Sequence, residues 1–220
     1  MAIKVRSSSR PLTLSQRSGR SYKMLTDSIF NPVCVILSDF GLTPNLVSNF
    51  RGVLGVAGLI LYSVGYQWFG VAMFVLSLLL DSVDGAIARY KKVTSHRGTF
   101  VDKVADYSIY CASILSMVYM EYVGGFAGAY HIAIVFAAIL MKIIVDNEGR
   151  KSDWIIDPTP NLVWFMIIWY ASLFLFFFFG VDFMGDVVFW LNVALTLIAL
   201  QSYYVIHLRW FGNHQRSKSR

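Results

Sequence analysis

Three long stretches without a charged side chain constrain this sequence more than any other feature. They cover residues 52–80, 158–181 and 187–208. An uncharged, mostly apolar run of about 18 or more residues is typical of a segment that crosses a membrane. Hydrophobic residues make up 56% of the 220 positions, which is too many for an ordinary soluble domain of this length. The sequence therefore predicts an all-α, polytopic membrane protein.

The apolar stretches, and the turn residues between them, predict six transmembrane helices. Glycine marks the predicted turns, as at Gly65, at Gly124 to Gly128 and at Gly180. Pro158 and Pro160 stop a helix from continuing into the fifth span. The approximate bounds are Leu46–Ser63, Trp68–Tyr90, Thr99–Tyr122, Tyr130–Val145, Asn161–Gly180 and Val187–Leu208.

The sequence outside the spans predicts three regions. Residues 1–45 form a basic arm, disordered or bound to anionic headgroups, followed by an amphipathic helix over Tyr22–Asp39 that lies in the membrane interface. Residues 46–208 form the six-helix domain that carries the chemistry, and residues 209–220 form a basic cytoplasmic tail. The arm lacks the apolar core of a cleaved signal peptide.

The basic residues sort to one side of the predicted membrane domain. With six spans, all 19 Lys and Arg lie on the side of the two termini, whereas the opposite turns carry only Glu121, Asp182 and Asp186. Basic loops remain in the cytoplasm, so both termini are expected there. The net charge of +6 is therefore attributed to membrane orientation, and no nucleic-acid partner is expected. Cys34 and Cys111 are too few for a disulfide framework or a zinc site.

Four aspartates form the constellation that can carry chemistry. Asp81 and Asp84 lie three residues apart on the second predicted helix, and Asp102 and Asp106 lie four apart on the third. These spacings place each pair on one helix face. The short connection makes the two helices antiparallel neighbours, so the two acidic stripes can face each other. Small residues on the same stripes leave room for a backbone or a flat ligand; they are Gly85, Ala88 and Gly98.

Four carboxylates close together near a membrane favour a bound cation. Each unpaired charge at membrane depth is costly, and oxygen ligands prefer Mg²⁺, Mn²⁺ or Ca²⁺ to zinc. Two divalent ions, Mg²⁺ or Mn²⁺, would suit four carboxylates and would clamp a pyrophosphate. Two other interpretations remain open: a salt-bridge network of Asp102 and Asp106 with Lys103, Arg89 or Arg97, and the acidic site of a cation transporter.

The stretch from Asp81 to Asp106 resembles the signature of the CDP-alcohol phosphotransferases. That signature reads Asp, two residues, Asp-Gly, two residues, Ala-Arg, eight residues, Gly, three residues, Asp, three residues, Asp, and this sequence matches every fixed position. Thr43-Pro44-Asn45 before the first span is also similar to the family. The resemblance implies a six-helix bundle, often a homodimer, whose polar cavity opens to the cytoplasm.

The resemblance also implies residue roles. Asp81, Asp84 and Asp102 would bind metal, and Asp106 would both bind metal and activate the acceptor hydroxyl. Because a metal-bound carboxylate is a weak base, whether Asp106 acts directly as the base stays open. The implied CDP-binding residues are Asn45, Gly85, Ala88, Arg89 and Gly98.

The reaction implied is transfer of a phosphatidyl group from a CDP-alcohol, such as CDP-diacylglycerol, to a small polar acceptor, with release of CMP. A polyol phosphate (glycerol phosphate or inositol phosphate) is the expected acceptor, and Lys142, Arg150 and Arg209 are its candidate ligands. Tyr107 stands where inositol-phosphate-type members usually carry Arg, which weakens the inositol option. Ordinary loop charge at Arg150 and Arg209, and pairing of Lys142 with Asp146, are the structural alternatives.

Three other functions are compatible with the sequence. Within the family, a phosphatidylserine-type synthase or a CDP-choline/ethanolamine-type phosphotransferase would use the same acidic motif. Outside it, a cation transporter would use the carboxylates as an ion site. A transporter needs polar residues across the bilayer, whereas the third, fifth and sixth predicted helices are almost wholly apolar beyond their cytoplasmic ends. That pattern favours a site that opens to one side of the membrane over a polar path across it.

Overall fold

A computed structural model describes residues 43–91, 96–147 and 162–218. These residues form six α-helices and contain no strand, which confirms the all-α prediction. The predicted arm and the interfacial helix over Tyr22–Asp39 lie outside the described residues. The helices are α1 Pro44–Ser63, α2 Gln67–Tyr90, α3 His96–Tyr119, α4 Gly125–Asn147, α5 Leu162–Phe179 and α6 Met184–Lys218.

Five of the six helices, all except α3, have the length and composition of a membrane span. The helix α3 is equally long, but Asp102, Lys103 and Asp106 lie in its first three turns. The most apolar helix is α5, and its sequence is almost continuous Leu, Ile, Phe and Trp. The chain is an integral membrane protein.

The start of α1 follows from Thr43 and Pro44. The Thr43 hydroxyl accepts a hydrogen bond from the Leu46 backbone N–H at 3.3 Å, as an N-cap side chain does. Proline at the first helical position loses no backbone hydrogen bond, because that N–H has no partner in the helix. The polar Thr-Pro-Asn segment thus fixes where the first span begins.

The predicted turns at Gly65 and Gly180 are confirmed. Their φ angles are 101° and 66°, a region that glycine adopts without steric cost. The prediction at Gly128 is wrong, because this residue lies inside α4. A β-carbon at Gly128 would overlap the Val118 side chain, so this glycine serves close helix packing. The helix α6 also extends to Lys218, ten residues beyond its predicted end, since the basic tail contains no helix-stopping proline.

The described chain divides into two compact units. Unit one contains the described residues up to Gly55 together with Phe74–Asp106. Its apolar core is formed by Val47, Val83, Ala86 and Ile87, with Leu80 packed against them. In this unit α1 approaches α3 closely, because a β-carbon at Gly52 would lie 3.2 Å from the β-carbon of Ala105.

Unit two contains Val56–Met73 and the residues from Tyr107 onward, and a buried polar chain connects its helices. Tyr110 Oη and His131 Nε2 are 2.7 Å apart, and His131 Nδ1 and Asn192 Oδ1 are 2.7 Å apart. Asn192 Nδ2 donates to the Ala127 carbonyl at 3.0 Å, which leaves Oδ1 as the acceptor. His131 must therefore donate from Nδ1 and accept the Tyr110 proton at Nε2.

Large aromatic side chains are exposed near the turns of unit two. Trp68 is 77% exposed and Phe126 is 86% exposed. Aromatic residues of this kind are enriched at membrane–water interfaces, and a soluble protein rarely exposes so many together. Other members of this group are Tyr66, Phe69, Tyr119, Phe179, Phe189 and Trp190.

Candidate active site

Three helix segments of unit one supply the polar site. The helix α1 provides Ser48 and Arg51, α2 provides Asp81 and Asp84, and α3 provides Asp102 and Asp106. The three- and four-residue spacings place each aspartate pair on one face of its helix, as the sequence predicted. The structure thus brings together residues from three separate parts of the chain.

One oxygen atom from each of Asp81, Asp102 and Asp106 lies within 4.8 Å of the other two. The three side chains are 49%, 41% and 33% exposed, respectively. They therefore form an acidic cluster that a ligand can reach from solvent. Asp84 differs, because its side chain is only 6% exposed.

Arg51 lies at the centre of these carboxylates and is 1% exposed. Its Nη1 atom is 2.7 Å from Asp81 Oδ1 and 2.7 Å from Asp106 Oδ1. Its Nη2 atom donates to Asp102 Oδ1 at 2.7 Å. The hydrogen bonds to Asp106 and Asp102 are charge-assisted and of the short, strong kind. A single guanidinium thus connects all three members of the acidic cluster.

Asp84 lies behind the acidic cluster, in the buried part of the site. The Ser48 hydroxyl donates to its Oδ2 atom at 2.6 Å, and Arg51 Nε lies 3.6 Å from the same oxygen. The sequence predicted four carboxylates in one small volume. The structure gathers all four around Arg51 but separates three partly exposed carboxylates from one buried carboxylate.

The sequence interpretation missed Arg51 and Ser48. It named Lys103, Arg89 and Arg97 as the alternative ion-pair partners, whereas Asp102 and Asp106 each pair with Arg51. The sequence contained a feature that could have identified Arg51, because it is the sole charged residue within the span Pro44–Ser63. Such a residue normally faces the protein interior and pairs with an opposite charge. Its partners lie 30 to 55 positions away in the chain and could not be identified from spacing.

The donor atoms of the acidic cluster fit a divalent cation of the magnesium and manganese type. All are carboxylate oxygens, which such cations prefer, and they lie close enough for one ion to contact several. The Arg51 guanidinium among them shows that this position favours positive charge. Asp81, Asp102 and Asp106 would hold the ion, with Asp84 as the buried fourth carboxylate.

The residues predicted to bind CDP are half-buried, and they belong to α1, α2 and α3 within unit one. Their role in CDP binding stays a prediction. A β-carbon at Gly85 would lie 3.2 Å from Arg89 Nη1, so a larger residue at this position would have to displace the Arg89 side chain. The set is Asn45, Gly85, Ala88, Arg89 and Gly98.

The predicted acceptor ligands are only partly described. Lys142 is half-buried on α4 in unit two. Arg150 and the side chain of Arg209 lie outside the described residues. Their role in acceptor binding stays a prediction.

The fold is similar to solved structures of a phosphatidylinositol phosphate synthase, PgsA1, from Mycobacterium tuberculosis. The structure with CDP-DAG bound superposes with a TM-score of 0.65 at 21% identity, covering 80% of this chain and 92% of that chain. The structure with manganese and citrate gives a TM-score of 0.63 at 20% identity, covering 79% and 86%. At this level of identity the likeness establishes the fold alone.

Sequence comparison gives one curated relative and a family. The inner membrane protein YnjF of Escherichia coli (strain K12) is 29% identical over 127 residues, which are 53% of this chain. The match spans about 61% of the length of that relative. Residues 41–198 match the CDP-alcohol phosphatidyltransferase family, and this range contains all four aspartates, Ser48 and Arg51. The chain therefore belongs to the CDP-alcohol phosphatidyltransferase family.

Proposed function

We propose that the protein transfers a phosphatidyl group from a CDP-alcohol, such as CDP-diacylglycerol, to the hydroxyl of a small polar acceptor and releases CMP. One observation carries this proposal: the carboxylates of Asp81, Asp102 and Asp106 converge within 4.8 Å inside the range that matches the family. Convergent, partly exposed carboxylates can hold divalent cations against a pyrophosphate. A purely structural salt bridge does not need three acidic partners for one arginine.

The residues of the site have separate tasks in this reaction. The four aspartates of the site would hold Mg²⁺ or Mn²⁺, and the ions would supply charge stabilisation at the pyrophosphate and at the leaving CMP. Asp106, whose side chain is 33% exposed, accepts the proton of the acceptor hydroxyl. The acceptor oxygen then forms a bond to the lipid-bearing phosphorus while the bond to CMP breaks. The half-buried small residues of α2 and α3 leave space for the cytidine nucleotide.

Two further observations support the donor and the metal. The PgsA1 structures of similar fold contain CDP-DAG in one case and manganese in the other. The apolar surfaces of α1 and α2 extend from the acidic site. A donor could place its lipid tails against these apolar surfaces and its charged headgroup at the acidic site. A CDP-linked lipid therefore fits the surroundings better than a fully water-soluble nucleotide substrate.

The direct test is CMP release by purified protein supplied with CDP-diacylglycerol and single acceptors. We expect Mg²⁺- or Mn²⁺-dependent CMP release and a new phospholipid with glycerol phosphate or inositol phosphate. Activity with serine instead would reassign the protein to a phosphatidylserine-type synthase. Release of no CMP from any CDP-lipid, combined with cation uptake into liposomes, would replace the transferase proposal with a transporter.

We further propose that the acceptor carries a phosphate and that Lys142 and Arg150 bind it. Charge-assisted hydrogen bonds to phosphate are stronger than neutral ones. Lys142→Ala and Arg150→Ala should each raise the acceptor KM by about tenfold or more and change the donor KM far less. Steady-state kinetics with each substrate varied in turn measures this. Equal KM values in the variants and the parent would point to an uncharged acceptor.

The active site is proposed to face the cytoplasm, because the basic residues lie on its side of the membrane domain. In a background lacking Cys34 and Cys111, single cysteines at positions 97, 125 and 182 report on the orientation. We expect a membrane-impermeant thiol reagent to label position 97 from the cytoplasmic side, and positions 125 and 182 from the opposite side. A β-carbon at Gly125 meets open space, so this substitution is tolerated. Labelling of positions 97 and 125 from the same side would contradict the orientation.

A further inference from the structure

Arg51 has more acidic neighbours than one positive charge can neutralise. Its guanidinium contacts Asp81, Asp102 and Asp106 at 2.7 Å and lies 3.6 Å from Asp84. With all four carboxylates ionised, one guanidinium leaves a formal charge of about −3 in a partly exposed site. The site therefore retains a strong electrostatic attraction for further cations.

The hydrogen bonds of Arg51 are divided unequally among its nitrogens. Both Nη atoms make short contacts to the acidic cluster. The Nε atom is buried and has no hydrogen-bond partner among the described residues, because Asp84 Oδ2 is too distant at 3.6 Å. An unpaired buried N–H is unfavourable. The guanidinium is thus held towards the exposed carboxylates at the expense of its contact with the buried one.

A divalent cation and the Arg51 guanidinium need the same region of the site. The cation binds carboxylate oxygens at about 2.0–2.6 Å, whereas the guanidinium nitrogens now contact one oxygen of each carboxylate in the acidic cluster. The two positive groups also repel each other at such short range. Close contact of both with all three carboxylates is therefore unfavourable.

We propose that Arg51 is a positioning residue that acts as the internal counter-cation of the acidic cluster and sets its metal affinity. In the metal-free protein it holds the three carboxylates together, and a divalent cation binds by displacing it from them. A shift of less than about 1 Å towards Asp84 would bring Nε within hydrogen-bond distance of Oδ2. This proposal rests on the proposed metal site but goes beyond it, because Arg51 would oppose metal binding while stabilising the empty site.

The test measures Mn²⁺ binding directly, by calorimetry or electron paramagnetic resonance on purified protein in lipid nanodiscs. We expect Arg51→Gln to bind Mn²⁺ about tenfold or more tightly than the parent, since it removes a competing charge a few ångströms away. Arg51→Lys should fall between the two, because one ammonium group cannot contact three carboxylates as a guanidinium does. Lys103→Gln is the matched control: it removes an equal charge beside Asp102, but from an exposed side chain, so its effect should stay within about threefold.

The direction in which Mn²⁺ affinity changes in the Arg51 variants distinguishes this proposal from a purely structural role of Arg51. If Arg51 only maintained the fold, its replacement would weaken Mn²⁺ binding. Thermal unfolding supplies a second readout: in chelator Arg51→Gln should melt below the parent, and Mn²⁺ should raise its melting temperature by more than it raises that of the parent. If Arg51→Gln does not fold, Arg51→Lys decides the question by the same measurements. Unchanged or weaker Mn²⁺ binding in the folded variants would overturn the role of Arg51, whereas failure of the parent to bind Mn²⁺ would remove the proposed metal site itself.

Discussion

Replacing Asp102 by Asn should reduce CMP release by about 10²- to 10³-fold. Asn keeps the size of the side chain but removes the charge that a divalent cation needs. Asp102 Oδ1 also accepts a 2.7 Å hydrogen bond from Arg51, so the substitution loosens the acidic cluster as well. Asp84→Asn should have a comparable effect, because a neutral amide cannot replace the buried carboxylate beside Arg51.

This loss should be accompanied by weaker dependence on Mg²⁺ or Mn²⁺, while the protein still inserts into the membrane. The measurement is CMP release across a metal titration, with membrane insertion checked by extraction and gel filtration. Asp182→Asn provides the control, because it removes an exposed carboxylate from a turn in unit two and should retain parental activity. Full activity of Asp102→Asn and Asp84→Asn in the presence of chelator would refute metal-dependent catalysis.

Replacing Gly70 by Leu should destabilise the protein by about 3 kcal/mol. A β-carbon at this position would lie 2.5 Å from the Tyr62 backbone nitrogen and 2.6 Å from the Gly58 carbonyl oxygen. Both atoms belong to the backbone of α1, so no side-chain rotation relieves the overlap, and the start of α2 must move away from the end of α1. Close backbone approach at a small residue is a common way to pack membrane helices.

Thermal unfolding in detergent measures this effect, and the expected decrease in melting temperature is roughly 6–12 °C for a chain of this size. Gly125→Leu is the matched control, because a β-carbon there meets no atom within 4 Å. It introduces the same side chain at another helical glycine and should change the melting temperature little. Similar melting temperatures for the two variants would show that α1 and α2 do not pack closely at Gly70.

Much of the acidic motif could be predicted because it depends on local periodicity. Asp81 and Asp84 are three residues apart in one helix, and Asp102 and Asp106 are four apart in the next. Helical geometry alone therefore places each pair on one face. The meeting of the two pairs followed from the short connection between the helices, and the structure confirms that three of the four carboxylates converge.

The glycines show where local reasoning fails. Gly65 and Gly128 both predict a turn from the sequence alone. Gly65 does lie in a turn, with a φ of 101°, whereas Gly128 lies within α4. An added β-carbon would meet no atom within 4 Å at Gly65, whereas it would meet a neighbouring side chain at Gly128. For Gly128 that neighbour is Val118, and no property of the segment around Gly128 identifies it.

The sequence by itself determined the membrane class, the approximate helices and the acidic motif. These features are local, because a helix satisfies its backbone hydrogen bonds within one segment and the bilayer fixes the apolar length required. Only the tertiary structure decided that Arg51 pairs with Asp102 and Asp106 and that Ser48 binds Asp84. Those contacts join residues 36 to 55 positions apart, and they depend on how α1 is rotated and packed against α2 and α3. That rotation is set by close contacts such as Gly52 with Ala105, which no spacing rule within one helix can specify.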